Sequence, residues 1–178
     1  GKFAVAAEPL LGSDGKYVGI DVRKHDIEFC EKQYPKDRFL FRHLSARNAF
    51  YAADQLSEFV KWPIDDISID MVLALSVWTH FNEKDARFYF SQVNRVLKFG
   101  GRALITFFLL DDNYYTNLPQ RKGERWIFDS PSQDSTEYFS PSWASVPEKA
   151  IGVTVSGVQK LASEQSLQWL ATYPGSWK

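Results

Sequence analysis

Residues 67–110 read ISIDMVLALSVWTHFNEKDARFYFSQVNRVLKFGGRALITFFLL. Ile67 to Leu75 is apolar over most of its length, the pattern of a strand buried on both faces of a parallel sheet. Asn82 is placed to cap a helix, and Asp85 falls in the first turn, where the positive end of the helix dipole favours a carboxylate. Phe88, Val93, Val96 and Leu97 supply much of the buried side, and Gly100-Gly101 is the expected stop. Arg102 to Leu110 then reads as a second buried strand. Two parallel strands need a crossover of a dozen or more residues, and this helix provides it.

Upstream the alternation continues. Residues 3–11 read as a short helix closed by a glycine turn at Gly12 to Gly15, with a strand as the competing reading of the first half. Tyr17 to Val22 is a compact apolar run that takes an acidic residue near its end. Ile27, Cys30 and Tyr34 form one helical stripe that stops at Pro35. Arg38 to Leu44 alternates apolar and polar from Phe39 onward, as a strand nearer a sheet edge does. Residues 45–63 are mixed, with one helix expected over residues 53–60. Downstream, residues 111–150 break the rhythm and read as a lid or binding loop. Residues 156–165 form a last helix with Val158, Leu161 and Ala162 inward, and residues 167–173 a final strand. The alternation predicts an α/β protein with a mostly parallel sheet covered by helices, in one domain of three parts: a core over 1–110, a lid over 111–150, and a C-terminal helix and strand over 151–178.

Composition excludes several classes. Of 178 residues, 44% are hydrophobic and 16% aromatic, which is ample for a packed core. The 21 basic and 22 acidic side chains leave a net charge of −1, so no electropositive face points to nucleic acid. The single cysteine, Cys30, and the three histidines, His25, His43 and His80, have no metal-ligand spacing, and no metal is expected. Apolar runs are strand-sized and no signal-peptide pattern opens the chain, so a cytoplasmic protein with no membrane partner is the default. A homodimer is among the assemblies the sequence allows.

In an open parallel sheet, ligands bind beyond the carboxyl ends of the strands. Asp21 stands there; a carboxylate can accept both hydroxyls of a ribose, or simply cap the following helix. Ser45-Ala46-Arg47-Asn48 follows the next strand, where short polar groups can meet the edge of an adenine ring or serve only the loop. Ser76 to Phe81 leaves a buried strand carrying two hydroxyls, a large aromatic ring and an imidazole. His80 titrates near neutrality and can take a proton from a nucleophile; its alternative is packing or capping.

Taken in order, YVGIDV (17–22), FLFRHLSARNAFY (39–51), SIDMVLALSVWTHF (68–81) and VNRVLKFGGRALITFFLL (93–110) resemble the successive motifs of class I S-adenosylmethionine-dependent methyltransferases of the small-molecule, methyltransferase-domain type. The resemblance covers about residues 1–110 and rests on the combination, RVLKFGGRALIT above all. It implies a Rossmann-like three-layer sandwich, S-adenosylmethionine as cofactor and a small-molecule acceptor. Asp21 would face the ribose, Ser45, Ala46 and Asn48 the adenine, and Ser76, Val77 and Phe81 the methionine end, with His80 at the methyl-transfer site; Gly1, Val22 and Leu75 would also line the cofactor. Two departures stand out. Ser45 occupies the place of the family's acidic residue, and only Gly1 and the helix after it match the family's first strand and glycine loop. The chain therefore reads as truncated at its N-terminus, and at its C-terminus where one strand is expected instead of an antiparallel pair. In the lid, Tyr114, Tyr115, Trp126 and Trp143 suit apolar acceptors and the cationic sulfonium, or pack over the sheet edge. Two rival readings are a nicotinamide-dependent oxidoreductase, which would share Asp21, and a non-catalytic binding domain on the same fold.

Overall fold

The computed structural model describes residues 1–55, 57–121, 125–133 and 135–175. The chain divides into two compact units, Gly1–Ile64 and Asp65–Lys178, so the core expected over residues 1–110 is shared between them.

The first unit contains helix α1 (Lys2–Ala7), strand β1 (Tyr17–Asp21), helix α2 (Lys24–Gln33) and strand β2 (Phe39–His43). β1 and β2 pair in parallel, Tyr17 opposite Phe39 and Asp21 opposite His43. The predicted stripe of α2 holds: Ile27 and Cys30 are buried with Ala4, Phe39 and Phe41, and Tyr34 closes over them. Gly19 is needed here, because a Cβ on it would lie 2.8 Å from the Phe41 ring. The helix expected over residues 53–60 is absent among the described residues; Leu56 lies outside them. Asn48 Oδ1 accepts from the N–H groups of Phe50 and Tyr51, both at 3.0 Å, and the Asn48 backbone pairs with Ala52 in a tight turn. Beyond it the Ser57 carbonyl accepts from the Arg47 N–H at 2.8 Å and Phe59 takes a left-handed φ of 56°, which a helix does not allow.

The second unit opens with strand β3 (Ile69–Ala74), helix α3 (Glu83–Val96) and strand β4 (Leu97–Ile105), with β3 and β4 parallel. Asn82 caps α3 as predicted, its Oδ1 accepting from the Asp85 N–H at 3.0 Å. Ala86, Val93 and Val96 are fully buried. Three expectations are corrected. The helix stops at Val96 rather than at Gly100-Gly101, because β4 begins at Leu97; the glycines lie within the strand, Gly100 at φ +77°. Residues 102–110 are split between β4 and a separate strand β5 (Phe108–Leu110), since the β3–β4 ladder closes where the Thr106 N–H reaches the Ala74 carbonyl. Nor is β3 buried on both faces: Ala74 is covered, but Met71 and Leu73 on the other face are 55% and 44% exposed.

The expected lid is largely structured. Asp111 caps helix α4 (Asp112–Asn117), and strands β6 (Ser130–Pro131) and β7 (Tyr138–Ser140) follow. Strand β8 (Gly152–Thr154) then pairs in parallel with β5 and antiparallel with β7, which pairs antiparallel with β6. Helix α5 (Val155–Glu164) buries Val158, Leu161 and Ala162 as predicted. Its first turn is capped by Thr154 and flanked by Glu137, whose carboxylate accepts from the hydroxyls of Thr154 and Ser156. Arg87 on α3 bridges Glu83 and Glu164 and so joins α3 to α5. Residues 167–173 form no strand. Ser166 takes a left-handed turn (φ 53°), and the Trp169 indole N–H bonds locally to Ala171 and Thr172, so the segment closes on itself instead of joining a ladder.

Candidate functional site

Because β1 and β2 end at the same level, the loops that follow them are tied together. The Leu44 N–H donates to the Asp21 carbonyl at 2.9 Å. His43 Nε2 lies 3.1 Å from the Val22 carbonyl, and a carbonyl only accepts, so Nε2 carries the proton. In the neutral ring Nδ1 is then an acceptor, and the Ser45 hydroxyl donates to it at 3.3 Å. One imidazole thus holds Val22 and Ser45 together beside Asp21. Nothing in the sequence pattern singles His43 out; only the register of β1 against β2 gives it this role.

Asp21 is exposed. One carboxylate oxygen accepts from the Arg23 N–H at 2.9 Å, and the other makes no hydrogen bond among the described residues. Ala46 and Asn48 are buried, and Asn48 Oδ1 is committed to the turn described above. That turn sets Phe50 and Tyr51 edge to face, ring centroids 4.7 Å apart. Burial pushes the Tyr51 hydroxyl up, Arg23 opposes and the Asp21 carboxylate adds to the rise, so the ring is within electrostatic reach of both. Gly1 caps α1, its carbonyl accepting from the Tyr34 hydroxyl at 2.9 Å.

The end of β3 is built differently. Ser76 has φ 58°, a left-handed conformation that costs a non-glycine residue about 1 kcal/mol or more. It is held there by its N–H, which donates to the Thr106 hydroxyl at 2.8 Å. Leu75 is half-buried, while Ser76 and Val77 are exposed. A single turn, Trp78–His80, follows; Trp78 is 1% exposed and packs edge-on against Phe81 and Phe90. Phe81 in turn stacks on Tyr89 at 4.9 Å.

Residues 148–151 strap this turn. His80 Nδ1 lies 2.9 Å from the Glu148 carbonyl and therefore donates. The Ile151 N–H donates to the Thr79 carbonyl at 2.8 Å, and the Asn82 amide reaches the Glu148 carboxylate at 3.4 Å. With Nδ1 protonated, Nε2 of neutral His80 is the nitrogen with basic character. Burial holds this imidazole below its ordinary value, opposed by the Glu148 carbonyl, so the ring is neutral at pH 7.

Residues 1–105 match the family described as methyltransferase domain. The chain belongs to that family. A SAM-dependent methyltransferase from Methanosarcina mazei resembles this methyltransferase domain with a TM-score of 0.55 at 17% identity, over 92% of this chain and 72% of that one. A protein from Pyrococcus horikoshii resembles it with a TM-score of 0.54 at 19% identity, over 92% of this chain and 67% of that one. The fold of the methyltransferase domain is therefore the α/β, Rossmann-like one of class I methyltransferases.

The aromatic residues expected to form a lid fall into one cluster of the second unit. Tyr114 is buried, its hydroxyl accepting from the Phe128 N–H at 2.9 Å. Tyr115 packs edge-on against Tyr114 and is exposed. Trp126 stacks on Phe108 at 4.9 Å and meets Trp143 edge-on at 6.0 Å. Among the described residues of the methyltransferase domain, no group of His, Cys, Asp and Glu could hold a metal ion, and no helix is long and apolar enough to cross a membrane.

Proposed function

We propose that this methyltransferase domain binds S-adenosylmethionine and transfers its methyl group to an O, N or C nucleophile of a small molecule. The observation that carries the reading is Asp21: an exposed carboxylate at the carboxyl end of a parallel strand, with one oxygen unpartnered among the described residues, in a chain of this family. The hydroxyls of a ribose donate, and such a carboxylate accepts. The rest of the first unit suits the adenosine end. Ser45 spends its hydroxyl on His43, yet its N–H has no partner among the described residues and can meet an acceptor of the adenine edge. Ala46 and Asn48 hold that loop in place, and Gly1 and Val22 complete the cofactor-binding set.

In the second unit we assign Leu75, Ser76, Val77 and Phe81 to the methionine end and His80 to the acceptor. When bound, the cofactor supplies an activated methyl group on a sulfonium, so the chain has mainly to align the nucleophile and take its proton. His80 Nε2 accepts that proton from an O–H or N–H acceptor, its tautomer fixed by the Glu148 carbonyl. Tyr114, Tyr115, Trp126 and Trp143 form the lid.

Calorimetric titration of S-adenosylhomocysteine tests the assignment. Binding by the protein, weakened at least about tenfold in Asp21→Ala, is expected from the loss of charge-assisted hydrogen bonds. Absence of binding by a cooperatively folded protein would instead favour the non-catalytic reading.

A further inference from the structure

The guanidinium of Arg125 lies over two indoles at once, 5.2 Å from the Trp126 ring centroid and 4.9 Å from that of Trp143. Both distances are within cation–π range. Among the described residues no carboxylate pairs with this guanidinium, although the chain carries 22 acidic side chains. Among the described residues it is held by ring faces alone.

The two rings are fixed before any cation arrives. Trp126 stacks on Phe108, and Phe108 packs at 5.1 Å against Phe128, itself pressed so closely on Gly152 that a Cβ there would come within 2.7 Å. Trp143 is pinned by its indole N–H, which donates to the backbone carbonyl of Arg125, and the Asp129 carboxylate holds the adjoining turn through the Ser142 N–H at 2.7 Å. Preorganised indoles meeting at 69° make two walls of a cation cage.

We infer that Trp126 and Trp143 form a recognition site for a cationic nitrogen group of the substrate, quaternary ammonium or guanidinium, and that Arg125 occupies it as an internal competitor. A quaternary nitrogen has no lone pair to receive a methyl group, and the lone pairs of a guanidinium are delocalised over the cation, so the cage grips a handle and the accepting atom lies elsewhere on the same molecule. Displacement of the Arg125 side chain accompanies substrate entry, and apparent affinity is lowered by the fraction of time Arg125 is seated. The inference rests on residues 111–150 being the substrate lid.

The test uses the full 178-residue chain and tetramethylammonium chloride at constant ionic strength, followed through the indole N–H resonances of Trp126 and Trp143. Arg125→Ala keeps the carbonyl that pins Trp143 and removes the competitor. It is expected to bind the probe about tenfold more tightly than the unaltered chain, with saturable shifts at both indoles. Neutral tert-butanol should give no saturable shift. In the Arg125→Ala background, Trp143→Leu should abolish binding and Trp143→Phe retain much of it; should Trp143→Leu not fold, the two indole shifts and the neutral control decide alone. Absence of saturation in Arg125→Ala, or equal response to tert-butanol, overturns the cage. Cation binding by a protein that takes no S-adenosylhomocysteine would keep the cage and remove the methyltransferase reading; the reverse result would remove the cage alone.

Discussion

Asp21 ends one parallel strand and His80 lies in the turn after another, but they are held by different means. Around Asp21 the ties are short: Arg23 is two residues away, and the His43–Val22 bond spans 21. Around His80 they are long. The Ser76–Thr106 bond spans 30 residues, the Asn82–Glu148 contact 66 and the His80–Glu148 bond 68. The first arrangement is an exposed acceptor on a local scaffold, whereas the second is a buried turn that needs distant chain to complete it. Changes near Asp21 should therefore act on ligand and leave folding alone, while changes near His80 should reach stability as well.

Trp78→Ala would press this contrast hardest. A 1% exposed indole packed on Phe81 and Phe90 should cost about 3–5 kcal/mol in urea unfolding, and a loss below about 1 kcal/mol would mean that the turn is not anchored as described. Asp21→Ala is the counterpart: stability within about 0.5 kcal/mol of the unaltered chain in the same assay, alongside the loss of cofactor affinity expected above. Asn82→Ala removes the cap of α3 and the reach to Glu148, and is expected to cost about 1 kcal/mol.

Two smaller effects are read along the pH axis. Because His80 is held below its ordinary value of 6.5, the unfolded chain takes up a proton first as pH falls; the contribution of the neutral ring is whole above that value and is lost below it. The acid limb of kcat/KM should likewise lie below pH 6.5. His80→Asn, which keeps a donor for the Glu148 carbonyl without a base, should remove that limb. Glu137 is held below the usual carboxylate range, chiefly by the Ser156 hydroxyl and then that of Thr154. Here too the unfolded state binds its proton first, so the contribution is present above about pH 5 and fades as acid reaches the lower folded value. Glu137→Gln should flatten the acid side of the stability curve, read as urea midpoints between pH 6 and 3.

What the sequence discloses follows the same division. Local pattern is enough for α2, the capped α3 and α5, because Ile27 and Cys30, or Val158 and Leu161, repeat at helical spacing whatever surrounds them. The position of Asp21 at a strand end was equally readable. Glu148 could not be found, since it acts through its backbone carbonyl and leaves no mark of residue type. Thr106 looks like any strand residue until β4 is set beside β3. The helix expected over residues 53–60 is missing for a different reason: the Ser57 carbonyl accepts from the Arg47 N–H and Phe59 takes a left-handed conformation, neither of which a helical pattern discloses.

The strap also has a consequence in time. When His80 is added to the growing chain, the carbonyl that will fix its tautomer is 68 residues short of being made, an interval on the order of ten seconds at usual rates of synthesis. Closing so long a loop is also entropically dearer than closing the short one around Asp21. On the roles proposed above, a nascent chain would thus present the Asp21 carboxylate well before the His80 imidazole is oriented.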